Sequence, residues 1–166
     1  MRTQRNSDPE SGTPQLQNCM SAHTSPSQPG SCSNVASNVL EFYPGSHLAL
    51  QLWALYVKCV DPVLKILHIP TTQSAVITTI LDPKSASASM LALTFAIYFA
   101  AITTLNHSDE PIELPMEKPV LLKHYKTALD RLLLVTEVMN RPEMAVLQAL
   151  AIYAVGYMQS SHGNIL

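Results

Sequence analysis

Apolar positions at helical spacing begin near Leu40 and recur through four or five stretches, separated by Pro, Gly and Asp/Ser punctuation. The first predicted helix runs from about His47 to Val60, with Ser46 expected as its N-cap after Pro44-Gly45. Leu48, Leu52, Leu55 and Cys59 form one stripe, with Trp53, Tyr56 and Val60 alongside, while Gln51 and Lys58 fall on the wet side. Asp61-Pro62 then resets the chain. Asp61 is expected to cap a short helix over Val63 to Leu67, with Pro62 at its first position and Pro70 ending it. A helix from about Thr72 to Leu81 closes at Asp82-Pro83. The long apolar run Ser85 to Leu105 follows, and then helices over about Lys118 to Met139 and Pro142 to Met158. In the first of these two, Leu122, Tyr125, Leu129, Leu132, Leu133 and Thr136 mark the face expected to be buried. Lys123, Lys126, Asp130 and Glu137 occupy the rest. No strand-like alternation, hairpin signal or repeat competes, so the expected fold is all-α: an irregular bundle of about five or six helices over residues 40–166.

Residues 1–39 read differently. The first 38 residues hold eight Ser and four Pro, and their few apolar residues make no periodic stripe. Ordering a residue costs about 1–2 kcal/mol, which this segment cannot offset by burial, so a disordered Ser/Pro-rich tail is expected.

Composition sharpens the picture. Only 13% of the 166 residues are charged and 47% are hydrophobic; an ordinary soluble domain is about 25% charged. The chain must therefore bury much of itself, in its own core, in a partner or in lipid. Ten basic against twelve acidic side chains, net charge −2, leave no overall positive field to hold nucleic acid. Cys19, Cys32 and Cys59 are too widely spaced for a disulfide framework, and no CxxC pair seats zinc. A reducing compartment is expected. The polar stretch Met1 to Glu10 lacks the apolar core of a secretory signal.

Reactive chemistry is hard to find. The six histidines (His23, His47, His68, His107, His124, His162) include no i, i+3 or i, i+4 pair. Asp109, Glu110, Glu113 and Glu117 cluster in a Pro-interrupted loop with no histidine at ligand spacing, and a solvated surface is expected there. No GxSxG, HExxH or Gly-rich phosphate loop occurs, and five dispersed glycines are too few to cradle a phosphate. No catalytic, cofactor-binding or metal residue is expected, and no enzyme.

The run Ser85 to Leu105 holds twenty-one uncharged residues and as a helix would measure about 30 Å, the thickness of a hydrocarbon core. A small single-pass membrane-anchored protein with residues 85–105 as its span is thus the alternative reading. Ser85, Ser87, Ser89, Thr94, Thr103 and Thr104 weigh against it, and the neighbouring amphipathic helices need a partner for their own stripes. A central helix buried on all sides explains both.

Three stretches together carry a family resemblance: "LQLWALYVKCVDPVLKILHIPT" (Leu50 to Thr71), "LALTFAIYFAAITTL" (Leu91 to Leu105) and, after a Tyr-centred helix "LLKHYKTALDRLL" (Leu121 to Leu133), "VLQALAIYAV" (Val146 to Val155). In order and spacing they resemble the fungal-specific transcription factor domain, the middle homology region of fungal zinc-cluster transcription regulators, over roughly Leu40 to Met158. The resemblance implies an all-helical, non-catalytic regulatory region of a nuclear regulator, often one controlling a metabolic or secondary-metabolite gene cluster. It implies action through protein–protein contacts, with DNA met only indirectly. Trp53, Pro62, Leu67, Pro70, Phe95, Tyr98 and Tyr125 are expected at core and corner positions.

The departures from the family are specific. Its six-cysteine zinc cluster is not present, since Cys19 and Cys32 stand alone and only Arg2 and Arg5 are basic before Lys58. No zinc or other cofactor is therefore expected. The family's domain continues for further helices beyond the point matching Leu166, so a domain truncated at its C-terminus is expected. Helices left partly bare favour a homo-oligomer, or association with a full-length family relative. The nucleus is the compartment the resemblance implies, with the cytoplasm open because no basic import signal is visible.

Overall fold

The computed structural model describes residues 38–105, 112–136 and 143–162, with side chains placed through Met158 in the last stretch. Six α-helices follow one another, and no strand occurs among the described residues. They are α1 (Ser46–Leu55), α2 (Asp61–Leu64), α3 (Ile69–Leu81), α4 (Ala88–Thr104), α5 (Lys118–Val135) and α6 (Met144–His162). A π-helical turn, Tyr56–Val60, joins α1 to α2. The expected all-α bundle is what forms. The tail expected over 1–39 lies outside the described residues except for its last two, Asn38 and Val39, which are helical; Val39 is fully buried.

The centre of the bundle is α4. Every residue from Leu91 to Ile102 is buried, and the helix packs most extensively against α6 and α5, with α1, the π turn and α3 on its other sides. A polar side chain inside such a helix needs a local partner. Thr94 donates its hydroxyl to the Met90 carbonyl one turn back, and Thr103 and Thr104 donate to Ala100 and Ala101. Ser87 caps the helix by accepting from the Met90 N–H at 3.2 Å.

This corrects the reading of Ser85 to Leu105 as a possible span. The helix starts at Ala88, after the Ser87 cap, and ends at Thr104. Its 17 residues reach about 25 Å at 1.5 Å per residue. No helix of the described residues is long and apolar enough to cross a membrane.

Several element boundaries also move. Ser46 is the first residue of α1 rather than its cap; Gly45 holds the cap position without a side-chain bond. The helix expected to stop near Val60 runs on through the π turn into α2, so Asp61 continues a helix instead of capping one. The wide turn carries one more residue than an α turn. It brings Val60 and Asp61 into the core and leaves Cys59 half-buried. The chain leaves α2 at Lys65, in the left-handed region at φ 50°, well before Pro70. Pro70 opens α3 instead, within its first turn, where no N–H is needed. Pro119 does the same for α5.

On α5 the buried residues are Leu121, Tyr125, Ala128, Leu129 and Leu132, while Leu122, Leu133 and Thr136 are half-buried. The inward stripe is thus turned slightly from the expected one. Glu137 and Met139 lie outside the described residues, as does Pro142, and α6 begins at Met144. Trp53, Leu67, Phe95, Tyr98 and Tyr125 are buried as expected, and Pro62 and Pro70 are exposed at corners.

Helix α6 lies close to α4 because of what it lacks. A Cβ on Gly156 would stand 3.2 Å from Cδ1 of Phe99 and 3.3 Å from Cε1. Val146, Ala149 and Ile152 fill the rest of the contacting side, and the Phe99 ring meets Tyr153 edge-on at 5.3 Å.

Candidate interaction surface

The densest polar chemistry of the described residues lies inside the bundle. Tyr43 from the entry segment, Phe95 and Tyr98 from α4 and Tyr125 from α5 gather with ring centroids 5.6–6.2 Å apart, at tilted or edge-on angles. The Tyr43 hydroxyl donates to the Thr79 carbonyl of α3 at 3.2 Å. Its single proton is thereby used, so Tyr98 is the donor in the 3.0 Å contact between the two hydroxyls. The relay ties α4 to the entry segment and to α3. Burial makes phenolate formation costly here. The Tyr43 hydroxyl is pushed up to about 12, against a lowering by its bond with Tyr98. Tyr98 is held higher still, first by burial and then by the charge Tyr43 would carry. Tyr125 is raised by the same two causes, and its buried hydroxyl has no hydrogen-bond partner. These are protonated phenols at any physiological pH, packed in the interior of the bundle.

The π turn makes a second polar spot. Tyr56 stacks on Trp53 at 6.0 Å, and its hydroxyl and Oδ1 of Asp61 are both buried without a hydrogen-bond partner. Burial raises the Tyr56 hydroxyl, with the Asp61 charge adding to it. The other Asp61 oxygen lies 3.5 Å from the exposed Lys65 ammonium.

The residues weighed for chemistry in the sequence do not converge. His47 and His68 are exposed; His68 shares a hydrogen bond of 3.0 Å with Thr71 at the start of α3. His124 packs on Phe42 at 5.3 Å. His23, His107, Asp109 and Glu110 lie outside the described residues. Among the described residues no group of three or more His, Cys, Asp or Glu side chains is placed to hold a metal. Cys59 is the single cysteine among the described residues. An open depression of about 590 Å³ on α3 is lined by Pro70, Gln73, Ser74, Ile77 and Thr78. None of these titrates, and the depression offers no acid–base pair.

The outer surface is more informative. Helix α5 turns Lys123, Asp130 and Arg131 to water together with Val120 and Leu134, and its Lys126–Asp130 pair closes at 2.9 Å. Helix α6 turns out a different face. Met144 is 70% exposed, Leu147 45% and Met158 62%. Ala151 and Ala154 are exposed between them. No residue from Met144 to Met158 is charged. This continuous apolar strip is the candidate functional surface. It was legible only as a general expectation that late helices would be left partly bare.

The chain carries a region similar to fungal transcription regulators. It is 29% identical over 124 residues to the aurofusarin cluster transcription factor aurR2 of Gibberella zeae, covering 75% of this chain and 18% of that protein. It is 30% identical over 97 residues to the transcriptional regulator nsrM of Aspergillus novofumigatus, covering 58% and 14%. To the transcriptional regulator AacuB of Aspergillus aculeatus it is 27% identical over 118 residues, covering 71% and 16%. The chain thus spans less than a fifth of the length of each of these relatives. No protein-family model matches the chain, and no solved structure matches it.

Proposed function

We propose that this chain is a non-catalytic regulatory region of the fungal transcription-regulator type, acting in the nucleus through protein–protein contacts on the control of a secondary-metabolite gene cluster. The observation that carries the reading is the match over three quarters of the chain to a cluster transcription factor. The structure supports it from two sides. The polar groups of the interior serve packing, and the outer strip of α6 is the kind of apolar surface that meets protein. The charge balance supports indirect rather than direct engagement of DNA.

The test pairs localisation with transcription. A fluorescent fusion of the full chain should accumulate in fungal nuclei. Disrupting the gene should change the transcripts of a biosynthetic cluster together. Retention of the fusion in a carbonate-washed membrane pellet would overturn the reading. So would unchanged cluster transcripts, or reproducible turnover of a substrate by the purified chain.

A further inference from the structure

We propose that the π turn carries a binding site for one buried water molecule, which bridges the Tyr56 hydroxyl and Oδ1 of Asp61. The site lies apart from the outer strip of α6 and stands independently of the transcriptional reading.

Ordinary winding would keep these two groups apart. At 3.6 residues per turn, positions five apart stand about 140° round a helix from one another. The π turn bonds each residue to the fifth along, which sets such positions one above the other. Tyr56 opens the turn and Asp61 follows it. The extra residue is thus what brings a phenol and a carboxylate together inside the bundle. Tyr56 is fully buried and Asp61 is 5% exposed. Stacking on Trp53, with the ring planes 11° apart, fixes where the phenol points. The Asp61 charge is felt at that phenol, second only to burial. No hydrogen bond joins the two, and neither atom finds another protein partner.

The chemistry selects the occupant. Oδ2 of Asp61 faces the exposed Lys65 ammonium at 3.5 Å, while Oδ1 is buried and, as a carboxylate oxygen, can only accept. The Tyr56 hydroxyl has a proton to donate. A donor and an acceptor that do not meet need one group between them that accepts from the first and donates to the second. Water does both, and buried waters sit where two or more polar groups converge. An ammonium ion cannot accept the phenol proton, and a metal cation cannot use it; Lys65 already supplies the positive charge. Left unbridged, each atom would carry its full desolvation cost. The third buried polar side-chain atom without a partner among the described residues, the Tyr125 hydroxyl, makes a useful contrast. It belongs to the Tyr43–Tyr98 cluster, where no buried side-chain acceptor is left over to share a water with it.

The experiment uses the full chain. A crystal structure fine enough to show ordered solvent should place one water within about 2.6–3.2 Å of both atoms. In urea denaturation, Tyr56→Phe should lower the folding constant about fivefold, because it takes a partner from the water and leaves Asp61 underbonded. Tyr125→Phe, measured beside it, should change the constant by less than about twofold. Exchanging sodium for potassium or ammonium at fixed ionic strength should leave the folding constant of the parent chain unchanged. A direct hydrogen bond between the phenol and the carboxylate, or no solvent density between them, overturns the proposal. So does a Tyr56→Phe variant as neutral as Tyr125→Phe. A folding constant that rises with potassium or ammonium overturns it too, by putting a cation in the site.

Discussion

Helices α4 and α6 look alike in sequence and differ in surroundings. Neither carries Asp, Glu, Lys or Arg, and both mix Ala with aromatic and branched residues. Yet α4 is buried at every position from Leu91 to Ile102, whereas α6 buries Val146, Ala149, Ile152 and Gly156 and turns Met144, Leu147 and Met158 outward. An uncharged helix shows that something other than water is expected around it, but not what that something is. For α4 the answer lies within the bundle: α5 and α6 cover it on one side, α1, the π turn and α3 on the others. For α6 the described residues cover one side alone, where it packs on α4.

The largest effect should come from emptying the enclosed helix. Phe95→Ala removes a fully buried ring at the meeting point of Tyr43, Tyr98 and Tyr125 and should cost about 3–5 kcal/mol in a urea denaturation series. Leu147→Ala on the open face of α6 should cost less than about 1 kcal/mol. Equal losses at the two sites would abolish the distinction between the helices.

The contact between them is tested at Gly156. Gly156→Val drives branched carbons toward the Phe99 ring and should cost about 1–3 kcal/mol. Gly156→Ala should stay within about 1 kcal/mol of the parent, because the gain in helix propensity offsets the 3.2 Å approach. If valine is tolerated as well as alanine, α6 is not seated on α4 as described.

Alkali should act through the buried phenols. An unfolded chain gives up its phenolic protons near pH 10, while the folded chain keeps the Tyr43 proton to about 12 and those of Tyr98 and Tyr125 higher. Between those limits the folded state binds more protons, so stability falls as pH rises above about 10. Ultraviolet titration of phenolate against the unfolding curve checks this; a flat stability curve through that window would contradict it.

Within the same cluster, Tyr98→Phe deletes the donor to Tyr43 and should cost about 1 kcal/mol. Tyr125→Phe removes an unpartnered hydroxyl and should be neutral or slightly stabilising. The smallest effect is expected at the exposed Met158, where Met158→Gln should shift folding stability by no more than about 0.5 kcal/mol.

How far the sequence told this story depends on the signal available. The span and enclosure of α4 were legible, because a long uncharged run flanked by amphipathic helices has few other places to go. The π turn was not. Nothing in Tyr56–Val60 distinguishes a wide turn from an ordinary one, since its cost is repaid by packing supplied from elsewhere in the fold. The inward stripe of α5 was misjudged by part of a turn because Leu121 and Leu122 are chemically identical candidates, and only the position of α4 chooses between them. The tyrosine relay was invisible for a related reason: Tyr43 and Tyr98 stand 55 positions apart, and Tyr43 precedes the first predicted helix. The candidate surface was legible as a class of feature, uncovered apolar helix, and not as a place.

The wide turn between α1 and α2 has a consequence for how this region tolerates insertions and deletions. It works as a phase adjuster: its extra residue is absorbed locally, so losing one residue there would let the segment relax to ordinary winding with the faces on either side still in register. The same loss within the ordinary winding just outside the turn would rotate everything upstream by roughly a quarter-revolution, and Leu52 would swing away from α4. Changes of length should therefore be tolerated inside the wide turn and not beside it.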